Sequence, residues 1–101
     1  MIHVIAFITC QPGQRDAVLA AMRENVPLVH AEDGCIEYQP VVDAPGLPFA
    51  VPAGSDTVVV VEKWRDAAAL AAHAAAPHMK AYGAKTKGLV ADRRIHVFTP
   101  A

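Results

Sequence analysis

The residues best suited to chemistry lie close together between Val58 and Tyr82. This stretch contains the only tryptophan of the chain, Trp64, and two of its five histidines. Imidazole titrates near neutral pH, so His73 is the candidate general base. Trp64 offers an aromatic wall for a planar substrate, and Tyr82 offers a further wall or a hydrogen-bond donor. The stretch therefore predicts a small cavity that binds an aromatic molecule.

Each of these residues also has a structural interpretation. A tryptophan at a strand end more often packs in a core or a dimer interface than it forms a catalytic wall. His73 is about as well explained as a hydrogen-bonded core residue. Glu62 could orient a histidine or a substrate hydroxyl, but pairing with neighbours of Lys63, or with Arg93 or Arg94 across the sheet or a dimer, is the favoured interpretation. A cavity beside Trp64 would favour the catalytic interpretation of these residues over the packing one.

Two further residues are candidates for substrate binding. Phe7 lies on the first predicted strand and could add an aromatic wall. His78 follows Pro77 directly and could instead sit in solvent near a helix N-terminus. His73 and His78 are separated by five positions with a proline between them, which does not present both rings on one helical face. We therefore expect no metal site.

Composition narrows the class of protein. A chain of 101 residues suits a single domain, residues 1–101, and its net charge of −1 with scattered Lys and Arg disfavours nucleic-acid binding. No run approaches the roughly 20 apolar residues of a membrane span, and we expect a cytoplasmic protein. Cys10 and Cys35 lack CxxC spacing, so two buried free thiols are expected.

The periodicity predicts an alternation of strands and helices. An apolar run at 2–10 and the valines at 57–64 indicate strands covered on both faces. A helix is predicted from Gln14, past Pro27, to a stop by Gly34, and an outer strand that contains Pro40 follows from Cys35. A second helix runs from its cap Asp66 to Pro77, and a further helical piece continues to about Lys87 and ends at Gly88. The last strand is predicted at about 93–98.

This order, βαββαβ, predicts an α+β ferredoxin-like domain with an antiparallel sheet and the helices on one face. The 53% hydrophobic content and the doubly apolar strands indicate that the other sheet face is buried against a second copy. Residues 44–56 form a long loop, either a flap over a pocket or an arm on another subunit. We therefore expect a homodimer.

Three motifs carry a family resemblance. They are the turn Glu32-Asp33-Gly34-Cys35, the strand end Glu62-Lys63-Trp64, and the helix Ala69-Leu70 with His73 followed by Pro77-His78. With these motifs in order over nearly the whole chain, the sequence resembles the antibiotic biosynthesis monooxygenase family. The resemblance implies a dimeric α/β barrel.

The resemblance also implies a chemistry. It points to a cofactor-independent monooxygenase that uses O2 on small quinol or polyphenol aromatics, with His73 and Trp64 as catalytic residues. Ala6 or Phe7 stands where haem-degrading members carry an asparagine, so no haem is expected. The alternatives are a binding or stress-associated dimeric module without turnover, and a purely structural assembly surface.

Overall fold

A computed structural model describes all residues from Met1 to Ala101 and contains four strands and three helices. The strands lie in the order β2-β3-β1-β4, and each neighbouring pair is antiparallel. This confirms the predicted ferredoxin-like α+β fold. In chain order the elements are β1 (Ile2–Cys10), α1 (Arg15–His30), β2 (Cys35–Val41), β3 (Thr57–Trp64), α2 (Ala67–Ala75), α3 (Pro77–Thr86) and β4 (Val90–Phe98).

Side chains alternate along the two central strands between a covered face and an open face. In β1 the even-numbered residues from Val4 to Cys10 are buried, whereas the odd-numbered residues keep part of their surface exposed. β3 alternates in the same way and buries Val58, Val60 and Trp64. The helices pack on the covered face, where the core forms, and the opposite face of the sheet has no cover within one chain.

α1 continues past Pro27 to His30, as the apolar residues after the proline predict. Its buried stripe includes Val18, Met22 and Val29, which belong to the same core as the covered face of the sheet. At its last residue, the ring nitrogen Nε2 of His30 lies 2.9 Å from the Tyr38 carbonyl oxygen. The last turn of α1 is thus tied to the edge strand β2.

The turn between α1 and β2 packs tightly on the start of α2. Gly34 has a φ of 84°, and a Cβ there would stand 2.6 Å from the Ala69 Cβ, so only glycine fits without a shift. The Gly34 carbonyl accepts a hydrogen bond of 2.8 Å from the Arg65 backbone N–H. Asp66 caps α2 as predicted, accepting from the Ala69 N–H at 2.8 Å. This packing brings Glu32 beside α2.

The C-terminal part differs from prediction in its boundaries. β4 begins at Val90, three residues before the predicted Arg93, because Val90 pairs with Cys10 across a register shift in β1. Ala91 and Asp92 lie between Val90 and Arg93, and because Ala and Asp are poor strand formers, the sequence did not predict this part of the strand. α3 ends at Thr86, and Gly88 does not adopt the positive φ of a helix-terminating glycine.

Residues 44–56 contain no helix or strand, as predicted. The Asp43 carboxylate accepts hydrogen bonds from the backbone N–H groups of Ala53 at 2.7 Å and Gly54 at 3.0 Å, which closes the loop. Phe49 and Val51 are 83% and 93% exposed, so the loop does not cover this chain as a flap. Its interpretation as an arm on another subunit stays a prediction.

Two other predictions concern the cysteines and the membrane-spanning character of the helices. Cys10 and Cys35 are both free thiols, as expected. Cys10 is buried, but Cys35 is partly exposed, which differs from the expectation of two buried thiols. None of the three helices combines the length with the apolar character that a membrane crossing requires.

Candidate active site

A cavity of about 320 Å³ lies between the covered face of the sheet and the helices. Of its 15 lining residues 11 are hydrophobic, so most of its wall is apolar. This size is at the lower end for ligand sites and suits a molecule of one or two rings. The side chains that carry polar groups into this wall are Tyr38, Glu62, His73, Tyr82 and Arg93.

One carboxylate oxygen holds two histidines at the edge of this cavity. Oε2 of Glu32 lies 2.8 Å from Nδ1 of His73 and 2.9 Å from Nε2 of His78. The side chains of Glu32 and His73 are only 13% and 7% exposed. Because a carboxylate accepts and does not donate, both imidazoles donate an N–H to it. In the neutral ring of His73 the lone pair then lies on Nε2, which has no hydrogen-bond partner in the chain.

The convergence of His73 and His78 depends on the break between α2 and α3. α2 ends before Ala76, which is extended with a ψ of 140°, and Pro77 opens α3. The chain therefore changes direction between the two histidines, and their rings meet at Glu32. The absence of a shared helical face was predicted, but this meeting point was not. No three His, Cys, Asp or Glu side chains are arranged to hold a metal ion.

Glu62 and Trp64 form a second buried pair behind His73. Trp64 Nε1 donates to Glu62 Oε1 at 2.9 Å, and the indole centroid lies 4.6 Å from the His73 ring. Burial raises the pKa of Glu62, while the Trp64 hydrogen bond and the nearby His73 oppose that rise. Within the chain, the favoured interpretation that Glu62 pairs with Arg93 or Arg94 is wrong, because the Glu62 carboxylate accepts from Trp64 and no arginine nitrogen lies within 4.0 Å of it. A pairing across a dimer stays a prediction.

Two tyrosines complete the polar part of the wall. The Tyr82 hydroxyl is buried and makes no hydrogen bond of 3.5 Å or less. Burial raises its pKa, and the charge of Arg93 and the nearby Thr86 side chain oppose that rise. Burial, followed by the charge of Glu62, raises the pKa of Tyr38 as well. Tyr38 stands directly opposite Glu62 in the β2–β3 register. A buried hydroxyl without a partner costs free energy, and a ligand in the cavity would supply the missing partner.

The structure does not bring every predicted site residue to the cavity. His73, Glu62 and Tyr82 line it, but Trp64 is completely buried and supports two of the lining residues instead of forming a wall. His78 lies behind Glu32 and does not line the cavity. Phe7 points to the opposite face of the sheet, since strand alternation separates it from the buried Ala6.

The sequence interpretation missed three residues of the site. Glu32 was assigned only to a turn, although the motif that contains it precedes the two histidine motifs along the chain. Tyr38 has the parity of a buried residue on an edge strand. Arg93 was considered only as a partner of Glu62. Tyr38 and Arg93 needed the strand register before they could be assigned to the cavity, and Glu32 needed the packing of its turn against α2 and α3.

Comparison with known proteins places this arrangement in a family. The family model described as antibiotic biosynthesis monooxygenase matches residues 1–85. The chain belongs to the antibiotic biosynthesis monooxygenase family. Among relatives in this family, the chain is 44% identical over 103 residues to the Escherichia coli K12 protein named "Probable quinol monooxygenase YgiN", with 99% of this chain and 98% of that protein covered.

Solved structures agree with the family assignment. PA3566 from Pseudomonas aeruginosa superposes with a TM-score of 0.82 at 27% identity, and the match covers 99% of this chain and 93% of that one. Rv0793 from Mycobacterium tuberculosis gives a TM-score of 0.81 at 28% identity, with 99% and 94% covered. The fold and the monooxygenase family are therefore established together.

Removing the Glu32 carboxylate should strongly destabilise the domain. Glu32→Ala leaves two imidazole N–H donors without an acceptor, and we expect a loss of about 2–3 kcal/mol in the free energy of unfolding. Urea denaturation followed by Trp64 fluorescence measures it. Asp33→Ala is the matched control, because Asp33 is the neighbouring acid but its side chain is 89% exposed. Equal effects of the two substitutions would contradict the account.

Proposed function

We propose that this protein is a cofactor-independent monooxygenase of small quinol or polyphenol aromatics, with His73 as its general base. The family assignment supports a monooxygenase. The observation that carries the specific proposal is the Glu32–His73 pair at the wall of a largely apolar cavity. An aromatic diol fits this combination because its ring needs apolar walls and its hydroxyl needs a base.

The base step uses the free lone pair of His73. Nε2 accepts the proton of a substrate hydroxyl while Nδ1–H continues to donate to Glu32. The Glu32 carboxylate then stabilises the imidazolium that forms, since it is the nearest negative charge. The substrate becomes an electron-rich phenolate inside the cavity.

That phenolate is the reductant for O2. In the overall reaction one quinol and one O2 give one hydroxyquinone and one water, so one oxygen atom enters the ring and the other leaves as water. The substrate supplies all four electrons that reduce O2. The apolar wall of the cavity suits this step because O2 is itself apolar and water is kept from the reactive ring.

The other predicted site residues take supporting roles in this proposal. Trp64 fixes the Glu62 carboxylate and packs against the His73 ring, so it positions the base instead of touching substrate. Glu62 and the unpartnered Tyr82 hydroxyl are the groups available to bind substrate oxygens. His78 contributes by holding Glu32 from its second side.

Replacing His73 should abolish quinol turnover. We expect His73→Ala to lower the rate of O2 consumption with a menadiol-type quinol by about 10²-fold or more, because the base supplies roughly that factor. An oxygen electrode measures the rate above spontaneous autoxidation. His30→Ala is the control, since it also removes one imidazole but is exposed at the end of α1 and does not line the cavity. Its melting curve checks that losing the bond to the Tyr38 carbonyl leaves the domain folded.

A wild-type rate equal to autoxidation would overturn the oxygenase proposal. Should the same aromatic raise the melting temperature of the protein without any product, the cavity would belong to a binding module that sequesters ligands. A wild-type rate that His73→Ala leaves unchanged would instead remove His73 from the mechanism.

We also propose that the protein forms a homodimer through the open face of its sheet. The side chains of Ile5, Phe7, Val59 and Val61 lie on this face and keep part of their surface exposed. Monomeric proteins rarely leave a contiguous apolar sheet face in water, and a second copy of the same face would cover it.

A charge at the centre of the open face should break this dimer. We expect wild-type protein to sediment at twice the 10.7 kDa chain mass and Val61→Asp to sediment as a single chain. Leu28→Asp is the control, because Leu28 is 53% exposed on α1, away from the sheet face. A monomeric wild type, or an intact Val61→Asp dimer, would contradict the proposal.

A further inference from the structure

Arg93 places an unpaired positive charge in the wall of the cavity. It stands opposite Ile8 in the β1–β4 register, on the face of the sheet that the helices cover, yet its own surface is exposed. No carboxylate lies within 4.0 Å of its guanidinium, and among the cations without an acidic partner it is the one that lines the cavity. Because β4 is an edge strand, Arg93 lies where the cavity meets solvent.

A shallow groove of about 360 Å³ continues from this point. The groove and the cavity share Gly83 and Arg93 in their walls, so they adjoin at these two residues. Lys87 adds a second positive charge to the groove, and Asp92 adds one negative charge. Asp92 pairs with Thr9 in the register and so alternates away from the face that carries Arg93.

The charge of Arg93 is also close enough to influence the pKa of both tyrosines of the cavity. Burial raises the pKa of Tyr82 and of Tyr38, and in each case the Arg93 charge opposes that rise. The Tyr82 hydroxyl has no partner in the chain. A ligand at this end of the cavity would therefore meet one cation and one free hydroxyl.

We propose that Arg93 makes this site selective for aromatic substrates that carry a carboxylate, with the ring in the apolar cavity and the carboxylate on the guanidinium. A planar guanidinium can bind a carboxylate through two parallel hydrogen bonds, and the apolar wall cannot compete for the charge. This inference rests on the proposed function, because it assumes that the cavity receives an aromatic ring. It adds a prediction of which aromatic molecules the cavity prefers.

Binding of two stable probes tests the proposal without any turnover. 1-Hydroxy-2-naphthoate and 1-naphthol share one ring system and differ by the carboxylate. We expect wild-type protein to bind the carboxylate probe about tenfold more tightly, in titrations followed by calorimetry. Arg93→Gln should reduce this preference to less than twofold, and Arg93→Lys should keep part of it.

Arg23→Gln is the control, because it removes the same charge from the exposed side of α1 and does not line the cavity. Melting curves of the variants confirm that each is folded. Equal affinity of wild-type protein for the two probes, a preference that survives in Arg93→Gln, or no binding of either probe would overturn the proposal. An Arg93-dependent preference without quinol turnover would support it and would refute only the oxygenase mechanism.

Discussion

The shared hydrogen bond acceptor Glu32 is the contact on which the site depends. Its carboxylate comes from the turn after α1, and its two partners come from α2 and α3, so three segments are joined at one oxygen atom. Few polar groups in this domain are as buried, and an unpaired charge there would be costly. The orientation of His73, and with it the position of the candidate base, follows from this one contact.

The backbone around Glu32 is built to make that contact possible. Gly34 lets the turn approach α2 until only a hydrogen fits against Ala69, and the Arg65 N–H bonds to the Gly34 carbonyl. Pro77 restarts the helix after the extended Ala76 and so directs His78 back to the same carboxylate. Residues with no chemistry of their own therefore determine where the imidazoles lie.

Sequence patterns predicted the parts of this structure that follow from local periodicity. The assignment of the two apolar runs to the strands β1 and β3, the capped α2 and the edge position of the Pro40 strand all depend on neighbouring residues, and each was predicted. The pairing of Glu62 with Trp64 was not predicted, although both residues were candidates for the site. Glu32 and Arg93 escaped assignment because their roles depend on contacts between segments distant in the chain, which periodicity does not report.

The tautomers of the two histidines test the central claim most directly. Long-range ¹H–¹⁵N correlation spectra of protein labelled at histidine report which ring nitrogen carries the proton at alkaline pH. Because Glu32 accepts from both rings, the account predicts a proton on Nδ1 of His73 and on Nε2 of His78. A His73 ring protonated on Nε2, with Nδ1 bare beside the Glu32 carboxylate, would contradict it.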